Sequence, residues 1–520
     1  MELLVGDFLR NSAKRAPHRV ALTGRGECLS YTQFDERANR LANALLGLRL
    51  QKAARVAILS TNSPQYAIAY FAIANTPYVS VHCSTRSTDS ELVYVLNKIE
   101  AEVLFLERRF KSMIDTVLPK LDKPLRLIVL DPGNETETQH AEATAMDEFV
   151  RGQPASTPAV DLEETGPLAI TLTGGTTGFP KAVLVSHKAR CASAVAAARD
   201  FGLDENDIVI VSTPLFHTAG LFVWFATAVM LGTSVVLPEA WDVAEFIRTV
   251  EQEKVTAAFL VPSQLNDLIT HAEFSAARLV TLRNIGYAGA PMGRALFDRI
   301  RAALPHVAFT ENYGQSEACP MTIRCESHGV GKRDTVGRVA SNAEIGIVDQ
   351  SGNLLPAGEI GDIVTRGDQL FDGYFNDPEE TAEAFRLLDG WLLTGDVGVL
   401  DEDGFLTLVD RSKDMLVSGG ENVYPAEIEN VLYEHEAVAE CAVFGIPDGR
   451  WGEVPVAHVV LSTGASVSEE ELIDFCAARI ARFKRPRSIR FEDSLPKTPI
   501  GKIQKNQLRE PYWAGQDRKI

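Results

Sequence analysis

The sequence predicts an α/β protein: a large N-terminal domain of βα-layered sheets plus a small β-rich subdomain, and a small α+β domain at the C-terminus. Three observations predict this fold. Short apolar segments alternate with helical segments as far as about residue 310. Shorter strands separated by Gly- and Asp-containing turns follow from 334 to about 410, and a mixture of helices and strands ends the chain. Strands that alternate with helices are typical of parallel sheets covered on both faces.

Short apolar runs bounded by turn residues predict the strands. They are 20–22, 56–59, 79–81, 103–106, 127–130, 167–170, 183–185, 208–212, 234–237, 257–261, 307–310, 441–444 and 457–461. Helical periodicity places Phe34, Ala38 and Leu41 on one face of a helix, and Ser30 or Thr32 can cap it. Further helices are predicted at 221–231, 243–252, 294–303, 426–433 and 469–482, and a polar surface loop at 131–164.

The length of the chain and a change of composition along it predict two domains. A chain of 520 residues is too long for one hydrophobic core. Because the composition changes near residue 410, we expect an N-terminal domain of residues 1–409 and a C-terminal domain of residues 410–520.

Composition limits the classes of partner. The chain has 70 acidic and 51 basic residues, and its net charge of −19 argues against broad binding to nucleic acid or anionic membranes. Seven scattered cysteines without CxxC spacing indicate neither a disulfide framework nor a zinc site. The first 17 residues have no apolar core typical of a secretory signal, so we expect a cytoplasmic protein. The uncharged run 219–237 predicts a buried helix and strand rather than a membrane span, because Gly232-Thr233-Ser234 interrupts it.

A glycine- and threonine-rich segment, called here the Gly/Thr loop, separates the strands predicted at 167–170 and 183–185. Its candidate phosphate-binding residues are Thr173, Gly174, Gly175, Thr176, Thr177, Gly178 and Lys181. Glycine lets backbone N–H groups approach an anion, threonine adds hydroxyl donors and lysine adds a charge. It is not a Walker A loop, because Pro180 follows Gly175 at the spacing where that motif has glycine. A phosphate loop and a flexible surface turn are both compatible with this segment alone.

Six further motifs follow in chain order. They are Pro214-Leu215-Phe216-His217-Thr218-Ala219-Gly220, Tyr287-Ala288-Gly289-Ala290-Pro291, Asn312-Tyr313-Gly314-Gln315-Ser316-Glu317, Trp391-Leu392-Leu393-Thr394-Gly395-Asp396, the run from Asp410-Arg411 to Gly419-Gly420-Glu421-Asn422, and Leu495-Pro496-Lys497-Thr498-Pro499-Ile500-Gly501-Lys502. Together with the Gly/Thr loop, they resemble the adenylate-forming superfamily. This superfamily comprises acyl- and aryl-CoA synthetases, adenylation domains of peptide synthetases and beetle luciferases.

The resemblance covers nearly the whole chain and implies a two-step reaction. A carboxylate attacks the α-phosphate of ATP to give acyl-AMP and pyrophosphate, and the thiol of coenzyme A then displaces AMP. The implied partners are a small carboxylic acid, ATP and coenzyme A, with Mg²⁺ as cofactor. We expect a monomer or a homodimer, without nucleic acid and without an integral membrane segment.

The resemblance also implies a nucleotide site. Besides the Gly/Thr loop it comprises Ala288, Gly289, Ala290, Asn312, Tyr313, Gly314, Gln315, Ser316, Asp396 and Arg411. Tyr313, predicted just past a strand end, offers a ring to adenine, and Asp396 offers a carboxylate to the ribose hydroxyls. Arg411 is expected at the same ribose, with a structural salt bridge as the competing interpretation. The chain departs from the family pattern at Gly174, where Ser is usual, and at Ala182, where Gly is usual.

Catalytic roles are likewise implied by the resemblance. Glu317, with Ser316 beside it, would bind Mg²⁺, which prefers hard oxygen ligands. Lys502 would bridge the attacking carboxylate and the α-phosphate. His217 would gate the acyl and pantetheine tunnel, although a buried structural histidine is the alternative.

The C-terminal domain would move between the two steps. Asp410 corresponds to the family's hinge position. The Gly419-Gly420 pair would let a loop pass close to the pantetheine arm.

The acyl pocket is expected around the first of the six motifs. Its predicted residues are Phe216, Ala219, Gly220, Leu221, Trp224, Tyr287 and Gly314. None is charged, whereas an amino-acid substrate needs a partner for its buried ammonium group. The sequence therefore favours a fatty or aryl acid.

Two alternatives to a CoA ligase stay open at this point. One is an acyl-AMP ligase or stand-alone adenylation enzyme that loads a carrier protein, and the other is a non-catalytic nucleotide-binding protein. The joint presence of Lys502, Glu317 and Asp396 argues against the second.

Overall fold

The structure is a computed structural model, and it describes residues 3–131, 143–173, 180–290, 292–329, 332–411, 414–418, 421–482, 484–497 and 503–514. The side chains of residues 295, 326, 411, 417, 421 and 422 are outside this description. Strands and helices are numbered in chain order.

A sheet of eight strands contains the two strands that flank the Gly/Thr loop. Its strands are β3 (Arg55–Leu59), β4 (Val79–His82), β5 (Val103–Leu106), β6 (Arg126–Val129), β7 (Ala143–Ala145), β8 (Pro167–Thr173), β9 (Lys181–Ser186) and β19 (Gly373–Tyr374). Their spatial order is β19-β9-β8-β4-β3-β5-β6-β7. From β8 to β7 neighbouring strands are parallel, as the alternation predicts, whereas β8, β9 and β19 pair antiparallel.

The second sheet has thirteen strands. They are β1 (Val20–Gly24), β2 (Glu27–Ser30), β10 (Ile208–Ile210), β11 (Ser234–Val236), β12 (Ala257–Leu260), β13 (Asn284–Tyr287), β14 (Ala308–Gln315), β15 (Ala318–Cys325), β16 (Gly337–Val339), β17 (Ala343–Val348), β18 (Ile360–Gly367), β20 (Leu392–Leu400) and β21 (Phe405–Arg411). Their order is β17-β18-β20-β21-β16-β15-β14-β13-β12-β10-β11-β1-β2. Strands β1 and β10 to β14 form the parallel centre. The β-rich hairpins predicted after residue 334 extend this same sheet through β16.

A third sheet belongs to the C-terminal part of the chain. It contains β22 (Leu416–Ser418), β23 (Glu421–Val423), β24 (Val438–Asp448), β25 (Gly452–Leu461) and β26 (Ile489–Phe491). Apolar side chains of this sheet share a separate core with the two helices predicted at 426–433 and 469–482. This core supports the predicted α+β character of the C-terminal part.

Helices cover the sheets. They are α1 (Gly6–Arg15), α2 (Tyr31–Gly47), α3 (Pro64–Ala74), α4 (Asp89–Lys98), α5 (Lys111–Val117), α6 (Met146–Phe149), α7 (His187–Asp200), α8 (Ala226–Leu231), α9 (Val243–Glu253), α10 (Pro262–Thr270), α11 (Arg294–Ala303), α12 (Pro378–Ala384), α13 (Pro425–Tyr433), α14 (Glu469–Ala477) and α15 (Lys505–Trp513). Single 3₁₀ turns occupy Arg108–Phe110, Leu118–Lys120 and Glu326–His328, and a π-helix, Ala219–Phe225, continues into α8. Among the described residues, none of these helices combines the length and the apolarity that a membrane crossing requires.

Local signals explain where several helices begin and end. Ser30 caps α2 by accepting from the backbone N–H of Gln33, and the Gln33 side chain accepts from the backbone of Ser30 in return. Gly232 ends α8 in the left-handed conformation, with φ of 80°, and so separates the uncharged run into the predicted helix and strand.

Two predictions are wrong in detail. Helix α14 ends at Ala477 rather than at 482, because the chain turns at 478–480, where the N–H groups of Arg479 and Ile480 both bond to the carbonyl of Cys476. Part of the predicted loop at 131–164 is ordered as β7 and α6, since a three-residue edge strand pairs with β6 without needing a long apolar run.

Candidate functional site

The hairpin of β8 and β9 presents the two ends of the Gly/Thr loop. Thr173 and Lys181 face each other across the antiparallel pair. The Lys181 ammonium bonds to the carboxylate of Glu380 and lies 4.9 Å from the ring centroid of Tyr374. In this structure, therefore, the loop's lysine bonds to a carboxylate that a phosphate would have to displace.

Tyr374 links that lysine to the predicted metal ligand. Its hydroxyl donates to Oε1 of Glu317 at 2.8 Å, and β19 places it beside β9. Glu317 is buried in the turn between β14 and β15, where its carbonyl accepts from the N–H of Phe371 at 2.8 Å. Burial and the neighbouring Glu317 carboxylate raise the pKa of Tyr374, so its phenol remains a donor. Tyr374 belongs to none of the sequence motifs, and its position shortly before the start of α12 is a weak signal.

The β14–β15 hairpin also brings the predicted adenine and ribose residues together. The hydroxyl of Tyr313 donates to Oδ2 of Asp396 at 2.7 Å, although the two residues are 83 positions apart. Tyr313 lies inside β14 rather than past its end, because β14 continues to Gln315 by pairing with β15. The parallel pairing with β13 stops at Glu311, so Tyr313 still lies beyond the parallel part of the sheet.

The remaining residues of this motif lie at the same turn. Ser316 accepts from the hydroxyl of Thr218 at 3.0 Å, which connects the predicted nucleotide and acyl segments. Asn312 is buried, Gln315 is half-buried and Gly314 is exposed. A Cβ at Gly314 would come within 3.1 Å of the carbonyl of Ala318, so a side chain there would crowd the hairpin.

The predicted adenine-contacting backbone follows the carboxyl end of β13. Ala288 is buried, whereas Gly289 and Ala290 are exposed. Gly289 has φ of 90°, a conformation that glycine adopts without steric cost. These backbone groups lie at the edge of the parallel strands, where open α/β sheets bind ligands.

On β20, Asp396 pairs with the backbone of Arg411 across β21. The side chain of Arg411 is outside the description, and so are Gly174, Gly175, Thr176, Thr177, Gly178, Gly419, Gly420 and Lys502. The predictions for these residues stay predictions.

The predicted acyl segment forms the turn before the π-helix. The rings of Phe216 and His217 are 4.5 Å apart, and Ala219 is half-buried. A Cβ at Gly220 would lie 2.6 Å from the carbonyl oxygen of Pro214, so this tight turn needs glycine. Leu221 and Trp224 are fully buried. π-Helical turns are uncommon and occur frequently at functional sites.

Trp224 is part of the core. Its Nε1–H donates to the carbonyl of Ile210 at 3.1 Å, and its ring packs against Phe201 and Phe259. The predicted contact of Trp224 with the substrate stays a prediction.

Tyr287 is another predicted residue of the acyl pocket. Its ring lies with Phe297 on the face of the sheet covered by α9, α10 and α11, whereas Trp224 lies on the other face. Its hydroxyl donates to Oε2 of Glu311 at 3.2 Å and accepts from Nη2 of Arg324 at 2.5 Å. The ring of Tyr287 thus lies in a different core from Trp224, and its predicted place in the acyl pocket stays a prediction.

Asp410 stabilises the first turn of the C-terminal domain. Its buried carboxylate accepts from the backbone N–H of Ala426 at 2.9 Å, at the start of α13. A carboxylate at a helix N-terminus satisfies a donor and complements the helix dipole. In this structure Asp410, the predicted hinge residue, is thus hydrogen-bonded to the first turn of α13, in the domain whose movement it is predicted to allow.

Backbone hydrogen bonds join the residues that flank the segment containing Lys502. Lys497 and Ile503 form a β-bridge, and the N–H of Gln504 donates to the carbonyl of Pro496 at 2.8 Å. Helix α15 then begins with Lys505, whose ammonium lies 2.8 Å from Oε1 of Glu429. Burial lowers the pKa of Lys505, but the carboxylates of Glu429, Asp410 and Asp414 outweigh it and raise that pKa.

The described residues contain no cluster of three or more His, Cys, Asp or Glu side chains that could hold a metal by itself. Mg²⁺ in nucleotide sites commonly uses only one or two carboxylates together with substrate phosphates. Glu317 fits that pattern, because its carboxylate lies at the end of the network that begins at the Gly/Thr loop.

Comparisons with known proteins agree with this geometry. Residues 9–375 match the model of the AMP-binding enzyme family, and residues 427–502 match the AMP-binding enzyme C-terminal domain. A feruloyl-CoA synthase of Amycolatopsis is 34% identical over 98% of this chain and 99% of its own. A long-chain-fatty-acid–CoA ligase of Mycobacterium tuberculosis is 32% identical over 98% and 99% of the two chains. The crystal structure of an anthranilate CoA ligase in complex with anthranoyl-AMP superposes with a TM-score of 0.89 at 27% identity, covering 99% and 98%.

Proposed function

Because this chain belongs to the AMP-binding enzyme family and is an AMP-forming acyl-CoA ligase, we propose that it activates a fatty or aryl acid at the β14–β15 hairpin. The observation that supports this proposal is the connected network around that hairpin. Tyr313 bonds to Asp396 on one side, and Glu317 bonds to Tyr374 beside Lys181 on the other. Adenosine and triphosphate groups would therefore meet at the turn between the two strands.

Each part of the nucleotide has a candidate partner. The ring of Tyr313 stacks on adenine while the exposed backbone at Gly289 and Ala290 approaches its edge. Asp396 exchanges its bond from Tyr313 for the ribose hydroxyls, and Arg411 contacts the same sugar. The Gly/Thr loop binds the β- and γ-phosphates, for which Lys181 must leave Glu380.

The cofactor is Mg²⁺ held by Glu317 and the phosphates, with the Ser316 hydroxyl nearby. The ion would neutralise charge on the triphosphate. Tyr374 positions the Glu317 carboxylate by its hydrogen bond.

The C-terminal domain, residues 410–520, alternates between two orientations about Asp410. In the first, Lys502 approaches the acid carboxylate and the α-phosphate and neutralises their charge during acyl-AMP formation. In the second, the Gly419-Gly420 loop approaches the pantetheine arm, and His217 opens the tunnel for the thiol. Hinge motions of this kind gate many enzymes.

Apolar walls favour a fatty or aryl acid. Phe216, Ala219 and Leu221 supply such a surface, and the two curated relatives described above are named for a fatty and an aromatic acid. The alternative is transfer of the acyl group to a carrier-protein thiol. We propose a cytoplasmic monomer or homodimer.

Pyrophosphate exchange with a library of carboxylic acids tests the first step. We expect exchange that requires Mg²⁺ and falls strongly in Glu317→Gln, with unchanged thermal stability. Exchange that is unaffected in this variant at limiting Mg²⁺ would refute the metal role. Release of AMP on adding coenzyme A, compared with adding a phosphopantetheinylated carrier protein, separates the two thiol acceptors.

A further inference from the structure

Arg190, on helix α7, is a buried cation that forms no salt bridge with the described residues. Only 1% of the residue is exposed. Its Nη2 donates to the carbonyl of Gln369 at 2.9 Å, but neither Nε nor Nη1 has a hydrogen-bond partner among the described residues. Within that part of the chain no carboxylate oxygen lies within 4.0 Å of the guanidinium. A guanidinium stays protonated in proteins. The Asp372 carboxylate acts on it electrostatically from beyond 4.0 Å, so the positive charge of this site is only partly balanced.

Other donors without partners lie in the same region. The hydroxyl of Tyr70 is buried and unpaired among the described residues, and it lies within electrostatic range of Arg190. The side-chain amide of Gln369 is fully buried, and neither its oxygen nor its nitrogen has a partner in the described part of the chain. Buried polar groups are nearly always hydrogen-bonded in folded proteins. Three unsatisfied donor groups together therefore indicate an acceptor that binds here.

The position of this cluster connects it to the acyl segment. The Arg190 guanidinium lies 5.3 Å from the ring centroid of Phe222, in the π-helix between Leu221 and Trp224. Helix α7 packs against both the π-helix and β15. Cys319, also within electrostatic range of Arg190, follows the Glu317 turn and contacts the backbone position of Gly314. The cluster thus lies behind the two segments proposed to form the acyl pocket.

We propose that Arg190, with Tyr70 and Gln369, binds a second oxygen-containing acceptor group, a carboxylate above all, at the far end of the acid substrate. The inference rests on the proposed acyl pocket and narrows its substrate class. The acid is apolar where Phe216 and Ala219 contact it, and negatively charged at the end away from the reacting carboxylate. The guanidinium fork matches a carboxylate with two parallel hydrogen bonds.

The test compares matched acids on matched variants. Straight-chain monocarboxylic acids, the corresponding oxo acids and the corresponding dicarboxylic acids are offered to the wild-type enzyme in pyrophosphate exchange and in thioester formation. The variants are Arg190→Met, which keeps length and removes the charge, and Arg190→Lys, which keeps the charge and removes the fork. Val195→Ala, an exposed position of the same helix, is the control.

We expect the wild type to prefer dicarboxylic acids over monocarboxylic acids of equal length. Arg190→Met should lower kcat/KM for the dicarboxylic acids by about 10²-fold or more, as expected when one partner of a buried charge pair is lost. It should leave monocarboxylic acids unchanged or improved. Arg190→Lys should give an intermediate loss, and Val195→Ala none.

Two outcomes overturn the inference. Equal loss for mono- and dicarboxylic acids in Arg190→Met assigns the residue a structural role, and so does a marked fall in its melting temperature. If no acid is activated at all, the proposed function fails instead. Calorimetric titration of dicarboxylic acids into wild type and Arg190→Met then still tests the anion site, and equal binding would refute it.

Discussion

Two largely buried cations of this protein have opposite surroundings. Lys505, in the C-terminal domain, lies 2.8 Å from the Glu429 carboxylate and near Asp410 and Asp414. Arg190, in the N-terminal domain, contacts a carbonyl and an aromatic ring, has donors unpaired among the described residues nearby, and is influenced by the Asp372 carboxylate only from beyond 4.0 Å. Carboxylates raise the pKa of Lys505, whereas burial lowers the pKa of Arg190.

The difference separates a structural charge from a binding charge. Removing one partner of a buried ion pair destabilises the protein, because the other charge stays buried alone. A buried charge that has no salt bridge, such as Arg190, already bears most of that cost, so its removal should leave stability unchanged or increase it. Lys505 also begins the helix that follows the segment containing Lys502, so its ion pair anchors the chain directly after that segment.

The largest effect on activity is expected for Lys502, which precedes helix α15. Lys502→Ala should slow acyl-AMP formation by about 10²–10³-fold, the scale for losing one charge-stabilising donor. Conversion of added acyl-AMP and coenzyme A to thioester should remain nearly intact, since in the proposed alternation that step uses the other domain orientation. Measuring both half-reactions separately tests this, and an equal loss of both would contradict the alternation of the domains.

The direct test of the comparison is the stability of two methionine variants. Lys505→Met should lower the free energy of unfolding by about 3 kcal/mol, because Glu429 is left largely buried without its cation. Arg190→Met should not lower it. Urea unfolding measures both, and Lys505→Met combined with Glu429→Leu should recover much of the loss. Equal destabilisation by the two single variants would remove the distinction.

A smaller effect is expected at Tyr374, the neutral donor to Glu317. Tyr374→Phe removes a hydrogen bond to a charged group, which is worth about 1.5–3 kcal/mol, and should lower pyrophosphate exchange about tenfold. The deficit should be greatest at limiting Mg²⁺ because Glu317 loses its orientation. Tyr433→Phe, on α13 of the C-terminal domain, is the control and should leave exchange at the wild-type rate.

The last prediction concerns His82, a neutral buried group whose ring, like the Arg190 guanidinium, lies beside Phe222. Its Nδ1 lies 2.7 Å from the hydroxyl of Tyr66 and its Nε2 3.0 Å from that of Ser80. Burial lowers the pKa of His82 from 6.5 to about 3. Between these values the unfolded chain binds a proton that the native protein does not, so stability falls as the pH decreases through this window.

The slope from His82 is at most about 1.4 kcal/mol per pH unit. Urea unfolding of wild type and His82→Gln across the window tests this, because other titrating groups are common to both. We expect a flatter acid side in the variant. Parallel curves would mean that His82 does not set the acid limit.

Local sequence determined most of the elements and the identity of the nucleotide motifs. The α2 cap at Ser30 and the bounds of α11 depend on residues within a turn or two of each other. The Gly/Thr loop follows from two apolar runs and the small residues between them. The structure bonds Tyr313 to Asp396, and the roles that the family resemblance implies for both residues stay predictions.

Tertiary structure alone decided which distant residues complete the site. Tyr374 reaches Glu317 across 57 positions, and Arg190 reaches the carbonyl of Gln369 across 179. In the sequence, Arg190 resembles a helical surface charge, and Tyr287 resembles a neighbour of the acyl pocket. Burial and the face of a strand depend on which segments pack together. That packing is a sum over contacts between remote parts of the chain, so neither property can be determined from the residues adjacent in sequence.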